Sequence, residues 1–341
     1  MMLAMLTACG GKDSGSAPAD TGSDSQQNEP APADTIPDAP EGGGTIGVCI
    51  YQFTDAFMTT YRNALQEILE GKGYQVTTVD GANDQAKQNE QINTFITQGV
   101  DALIINPVMT SAADQIIATV KAAGIPTVLI NREPTAEQMA VYDKLVYVGA
   151  LAAQSGTMQG ELILDTANQG DINGDGKISY IMVQGDPENI DAQLRTEYSV
   201  KALTDAGKEV EQLNLTRGDW MRERGQEIVA NDLAQFGDQV EVVFCNNDDM
   251  AIGALQSIQA AGRKVNEDIY LVGVDALDAA LNEVQAGNMT GTVLNDAVGQ
   301  ATAAVEEMEK LLGGATYASG EQSVYVDYVK VTPDNVGDFM K

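Results

Sequence analysis

Two α/β lobes, each a doubly wound parallel sheet, are what this sequence predicts, and three observations carry the prediction. Short apolar runs alternate with amphipathic segments from Ile46 onward, the pattern that lays helices on the faces of parallel sheets. The rhythm starts afresh near Ile178. At 341 residues the chain is long for a single core, so two cores are expected.

In chain order, the first half offers strands at 45–51, 75–79, 102–106 and 127–131, with apolar residues at helical spacing in segments 57–69 and 89–97. The second half repeats the alternation with strands at 178–183, 210–215, 240–245 and 269–274. Cys49 and Cys245 lie inside two of these apolar runs, where a free thiol behaves as a small buried hydrophobe. Three cysteines in all cannot build a disulfide framework. No stretch approaches the roughly 18 to 20 consecutive apolar residues of a membrane-spanning helix.

The N-terminus reads differently. Residues 1–8 are short and apolar and end Leu6-Thr7-Ala8-Cys9 before a pair of glycines, which resembles the lipobox of bacterial lipoproteins. That resemblance implies cleavage before Cys9, lipidation of Cys9, and an extracytoplasmic protein held to a membrane surface by acyl chains. The apolar stretch lacks a basic segment and is short for a signal peptide, so the sequence is expected to begin inside the signal. Residues 9–45 hold five of the ten prolines and almost no large apolar side chains, the composition of a disordered tether.

Composition excludes whole classes of function. The chain has 19 Lys+Arg against 50 Asp+Glu, a net charge of −31, and no histidine. Ser-His-Asp and Cys-His catalysis and His-ligated zinc are therefore absent. Such acidity repels phosphate backbones and anionic lipids unless a basic patch intervenes. The densest cationic group, Arg217, Arg222 and Arg224, is interleaved with Asp219 and Glu223, so no nucleic-acid partner is expected and a neutral or cationic small ligand is. No G-x-x-x-x-G-K-S/T loop occurs, nor a G-x-G-x-x-G at a strand–helix junction, which removes the usual nucleotide cradles.

Open α/β sheets bind ligands at the carboxyl ends of their strands, and those ends carry an unusual set here. Tyr51 is followed by Asp55 and Phe57; the next ends are Asn131-Arg132-Glu133-Pro134, Gly185 running to Asn189 and Asp191, Asn246-Asn247-Asp248, Asp275, and Asn295-Asp296. Arg195 and the single tryptophan, Trp220, lie near by in sequence. Asn and Asp at such places also cap the helices that follow; six strand ends in both halves make a shared ligand site the sharper reading.

These residues resemble the bacterial galactose/glucose-binding proteins, receptors that feed ATP-driven sugar importers. The resemblance is carried by Tyr51-Gln-Phe-Thr-Asp55-Ala-Phe57-Met58, Asn83-Asp-Gln-Ala-Lys-Gln-Asn89, Asn131-Arg-Glu-Pro134, Asn246-Asn-Asp248, Gly273-Val-Asp-Ala276 and Gly291-Thr-Val-Leu-Asn-Asp296, in order from about Ile46 to Lys341. It implies one lobe from residues 46–149 plus 297–325 and another from 150–296 plus 326–341, with hinge crossings near Gly149, Asn295 and Val326. It also implies that the lobes close over one neutral hexose. The contact set it implies is Asp55, Phe57 and Asn131 in the first lobe, Asn189, Asp191, Arg195, Trp220, Asn247 and Asp275 in the second, and Asn295 near a hinge, with Tyr51 as an added candidate. The chemistry suits a pyranose: aromatic side chains cover its C–H faces, while carboxylates accept from, Arg donates to, and Asn does either with its hydroxyls. Hydrogen bonds to charged groups contribute about 1.5 to 3 kcal/mol each against about 1 for neutral ones. A membrane permease and a chemoreceptor are the implied partners of a monomer.

A second motif stands apart. Asp171-Ile-Asn173-Gly-Asp175-Gly176-Lys177-Ile-Ser179 matches positions 1, 3, 5, 6, 7 and 9 of an EF-hand calcium loop, with Lys177 serving through its carbonyl. Position twelve is Met182, not Glu; the resemblance implies that Glu241 supplies the missing carboxylate and that calcium is a structural cofactor. Ser179 stands where the family commonly has Gln, a shorter reach that lowers the expected affinity. An Asn-Gly-Asp-Gly turn without an ion is the plain alternative.

Three other readings are weaker. A binding protein for another neutral monosaccharide, a pentose or polyol, shares the class. A sugar-sensing regulator needs a basic DNA-binding segment where the acidic tether lies. A glycosidase would pair two carboxylates such as Asp55 and Asp191, residues that hydroxyl binding already explains, so no enzyme is expected. The family's ligand-contacting histidine aligns with Asn189, which has no pKa near neutrality, so affinity is expected to be flat from about pH 6 to 8.

Overall fold

A computed structural model describes residues 43–340; the expected signal 1–8, Cys9 and the tether up to residue 42 lie outside the described residues. Along the chain run β1 (Thr45–Ile50), α1 (Ala56–Gly71), β2 (Gln75–Asp80), α2 (Gln85–Gln98), β3 (Ala102–Ile105), α3 (Ala113–Ala123), β4 (Thr127–Ile130), α4 (Ala136–Met139) and β5 (Leu145–Gly149). There follow α5 (Ala152–Leu164), β6 (Lys177–Gln184), α6 (Ile190–Asp205), β7 (Glu209–Arg217), α7 (Arg222–Phe236), β8 (Val242–Cys245), α8 (Asp248–Ala260), β9 (Tyr270–Val272), α9 (Asp278–Gln285) and β10 (Thr292–Leu294). The last elements are α10 (Ala297–Leu312), β11 (Ser323–Tyr325) and β12 (Val329–Val331).

The first sheet has the order β11-β5-β4-β3-β1-β2, parallel throughout. Period-two alternation sorts β1 between two cores: Ile46, Val48 and Ile50 face α1 and α10, while Cys49 faces α2 and α3 with Leu103 and Leu129. The second sheet has the order β7-β6-β8-β9, also parallel. Single bridges from Val272 to Gly291 and from Asp275 to Leu294 bring β10 alongside β9, and β12 runs antiparallel to β10. The second lobe therefore adds an antiparallel edge to its parallel sheet, a common finish for doubly wound sheets. Its faces are covered by α7, α8 and α9 on one side and by α5 and α6 on the other.

Among the described residues the chain passes between the two sheets three times: after β5, after β10 and after β11. Two of these passages are tied together, since the Val326 N–H donates to the Gly149 carbonyl at 2.8 Å. At Gly149 a Cβ would fall 2.0 Å from the Tyr147 hydroxyl, so the passage is built on a residue without a side chain.

Boundaries moved in understandable ways. Thr45, claimed both by the end of the tether and by the first strand, belongs to β1 as the strand reading had it, with its N–H and hydroxyl on the Asp101 carboxylate. Tyr51, Asn106 and Asn131, read as last strand residues, fall just beyond β1, β3 and β4. Asn131 has φ 63° and turns the chain out of the sheet. Cys49 and Cys245 are fully buried, and burial pushes the Cys49 thiol up to about 12.

Candidate functional site

Parallel strands put all their carboxyl ends on one edge of each sheet, and the two edges share a cavity of about 350 Å³, including open space at its mouth. All eleven residues read from the sequence line it, together with Met58 and Arg132.

The wall from the first sheet is assembled by short-range hydrogen bonds. Asp55 caps α1: its Oδ1 accepts the Met58 N–H at 2.7 Å and its Oδ2 accepts the Tyr51 hydroxyl at 2.6 Å. Burial lifts this carboxyl above its ordinary range, opposed by those hydrogen bonds and by Arg132. Tyr51 is thus a working part of the wall. Asn131 is held from two sides, with its Oδ1 accepting from Asn106 Nδ2 at 3.1 Å and its carbonyl accepting the Tyr147 hydroxyl at 3.0 Å. Phe57 presents its ring beside Tyr61, edge to face at 6.0 Å. Arg132 was not among the sequence-derived contacts. It is 3% exposed, its guanidinium lies 4.1 Å over the Tyr51 ring, and it donates to the Val108 carbonyl. Its Nε has no hydrogen-bond partner among the described residues. Its place next to Asn131 at a strand end was the signal that pointed to it.

The wall from the second sheet is ordered around Arg195. Asn189 caps α6 by accepting the Asp191 N–H at 3.0 Å, which leaves its Nδ2 to donate. Arg195 lies one turn on from Asp191, on the same helix face. Its guanidinium donates to the Asn246 carbonyl at 2.7 Å and to the Tyr328 hydroxyl at 3.2 Å, and it lies 3.8 Å from Asp275 and 5.7 Å from the Trp220 ring centre. Burial lifts Asp191 to about 6; Arg195 pulls it down and Glu133 of the other lobe pushes it up. Trp220 has φ 67° and follows Asp219 at φ 53°. Its ring rests on Gly185, where a Cβ would come within 2.3 Å of it. Asn247 caps α8 and reaches back to the Trp220 carbonyl. Asp275, at φ 123°, accepts from Asn295 Nδ2 at 3.3 Å, and Asn295 accepts from Gln300 at 2.6 Å. Burial drives Asp275 well above its usual range, against the pull of Arg195.

What results is three aromatic side chains, Tyr51 and Phe57 from the first lobe and Trp220 from the second, among carboxylates, amides and two buried guanidiniums. Such a lining can hold a small polyhydroxylated ring by its faces and its hydroxyls. Asp55 itself is committed to a helix cap and to Tyr51.

The acidic loop lies elsewhere on the second lobe. Asp171 accepts the N–H groups of Gly174 at 2.7 Å and Gly176 at 3.1 Å, Asn173 that of Asp175 at 2.8 Å, and Asp175 that of Lys177 at 3.1 Å. Glu241, 1% exposed, accepts from Ile172 and Asn173 with Oε1 at 2.7 and 2.9 Å and from Ser179 with Oε2 at 2.9 Å. The side-chain ligand atoms of the loop are all oxygens, the set a hard cation takes, and Glu241 is joined to the loop through backbone N–H groups. Among the described residues, however, no three His, Cys, Asp or Glu side chains gather closely enough to hold a metal ion.

Comparison with known proteins accords with this geometry. Residues 46–316 match the family model for the periplasmic binding protein domain. The D-galactose/methyl-galactoside binding periplasmic protein of Haemophilus influenzae is 37% identical over 309 residues, covering 87% of this chain and 92% of that one. A putative rhizopine-binding protein of Rhizobium meliloti is 35% identical over 299 residues, covering 86% and 92%. Among solved structures, an ABC transporter solute binding protein from Bacillus halodurans with bound myo-inositol superposes with a TM-score of 0.76 at 29% identity, covering 88% of this chain and 98% of that one. Fold and site define a two-lobed α/β binding protein rather than an enzyme. The chain belongs to the periplasmic binding protein family.

Proposed function

We propose that this protein is the extracytoplasmic sugar receptor of an ATP-driven importer, and that its ligand is a neutral hexose of the D-galactose/D-glucose type. The observation that carries the reading is one cavity in which Phe57 and Trp220 accompany Asp55, Asn131, Asp191, Arg195, Asp275 and Asn295. The rings serve the two apolar faces of a pyranose and the polar groups serve its equator. The name of the Haemophilus relative supports the hexose. A second reading, a cyclic polyol, draws on the bound ligand of the Bacillus structure. Delivery to a membrane permease, anchoring through Cys9, docking on a chemoreceptor and a monomeric state belong to the same proposal.

Titration calorimetry with galactose, glucose, ribose and myo-inositol tests it. A hexose binding at micromolar strength or better, about −8 kcal/mol, supports the first reading. Heat with myo-inositol alone replaces it with the second, and heat with none of them removes both. We also propose that the loop from Asp171 to Ser179 takes calcium with Glu241, as a structural ion; its sequence pattern and all-oxygen donor set support this.

A further inference from the structure

Asp248 does not line the cavity, yet its hydrogen bonds fasten the turn that carries Asp275. The residue is 0% exposed. Oδ2 accepts the Leu277 N–H at 2.9 Å, and Oδ1 accepts the Thr292 hydroxyl at 2.6 Å. Its own backbone N–H donates to the Val274 carbonyl at 2.7 Å. Residues 274 and 277 are thus both tied to Asp248, and Asp275 between them turns its carboxylate instead toward Asn295 and Arg195.

Capping does not account for this carboxylate, because Asn247 already caps α8 by accepting the Met250 N–H. Among the described residues no Lys or Arg forms an ion pair with it, and burying a carboxylate is costly unless hydrogen bonds satisfy it. Room has been made for it nonetheless: a Cβ on Gly273 would stand 2.1 Å from Asp248 Oδ1. The turn it holds is one that does not hold itself, since Asp275 at φ 123° and Ala276 at φ 53° are consecutive non-glycine residues in the left-handed region. Such pairs persist only where surrounding structure over-determines them.

We propose that Asp248 is a positioning residue for the ligand site: it presents the Asp275 carboxylate to the cavity and so sets affinity without touching the ligand. This rests on the reading of the cavity as a sugar site. The full-length protein and its Asp248→Asn, Thr292→Val, Asp275→Asn and Asp248→Asn/Asp275→Asn variants are compared by calorimetry with whichever sugar of the four-sugar panel binds. Asp248→Asn weakens binding about 10- to 100-fold, and the double variant binds no worse than Asp275→Asn alone, the non-additivity of groups acting as one unit. Binding by Asp248→Asn within twofold of wild type, or losses that simply add, overturns the proposal.

Thr292→Val removes one tie and keeps both carboxyl groups, so it keeps the question open to test if Asp248→Asn fails to fold. Carbon-13 NMR titration of the Asp275 carboxyl supplies a readout that needs no ligand. A displaced Asp275 resonance in Thr292→Val, compared at a pH where both carboxyls are ionised, supports the positioning role, and an unchanged one overturns it. If no sugar binds the wild type, the functional reading fails by itself and this titration still decides the role of Asp248.

Discussion

The side-chain amide of Asn247 joins a helix start to the Trp220 turn: its Oδ1 accepts the Met250 N–H at 3.0 Å while its Nδ2 donates to the Trp220 carbonyl at 3.2 Å. The two bonds separate by substitution. Asn247→Asp keeps the cap and loses the donor; Asn247→Ala loses both. The alanine variant loses about 1 kcal/mol of stability through the missing cap, and the aspartate variant stays closer to wild type. Both release the turn, which the fluorescence of the single tryptophan reports. Unchanged emission in both would show that the turn is held by other contacts.

The Trp220 ring is also fixed from below. A methyl group at Gly185 would meet three of its ring atoms within 2.5 Å, and the ring is carried on two consecutive residues with positive φ. Gly185→Ala therefore displaces the ring rather than the strand. Ligand affinity falls by roughly tenfold, about 1.4 kcal/mol, the scale of a well-placed aromatic contact. Calorimetry showing equal affinity in this variant would remove Trp220 from the ligand contacts.

Acidity acts on the site through its carboxylates. Burial holds Asp191 and Asp248 at about 6, above the roughly 3.9 of a solvated aspartate. Between about pH 4 and 6 the folded, ligand-free protein then binds more protons than the unfolded chain, so stability falls as pH rises through that window. The melting temperature without ligand is higher at pH 5 than at pH 7. Ligand hydroxyls donate to the ionised form of Asp191, so affinity moves the other way: about twofold weaker at pH 6 than at pH 7.5, with a steeper loss below. Asn189 in the place of the family's histidine pointed to a flat profile from about pH 6 to 8; the raised Asp191 is expected to bend its lower end. Affinity that holds steady down to pH 5 would place Asp191 outside the contact set.

The strand ends were legible because parallel topology gathers chemistry there, and Asn and Asp recur at those places in both halves. Less legible was what each side chain spends on its own backbone. Asn189, Asn247 and Asp55 are caps as well as cavity residues, and capping and ligand binding ask for the same residue types. Arg132 stands beside Asn131 at one of those strand ends but was left out of the contact set, because nothing in the sequence shows which way its side chain turns; its stacking on Tyr51 settles that. The strands β11 and β12 have three residues each, too short for alternation to declare itself, and they take their place from pairing with β5 and β10.

Glu241 decides whether the acidic loop is a turn or an ion site. With both carboxylate oxygens on loop amides, it fastens residues 172–179 to the second lobe. Calcium at a hundredfold its dissociation constant adds about 2.7 kcal/mol to the folded state. In a lobe of this size that raises the melting temperature by several degrees, at about 2 to 4 °C per kcal/mol. A chelator removes the increment and magnesium restores little of it, because the smaller ion demands a stricter octahedral shell. Glu241→Gln keeps one acceptor oxygen for the loop, lowers the melting temperature in chelator, and abolishes the response to calcium. The two effects are separable in one set of melts. A wild-type melting temperature indifferent to both chelator and added calcium would leave Glu241 as the loop's sole fastening and the motif as a metal-free turn.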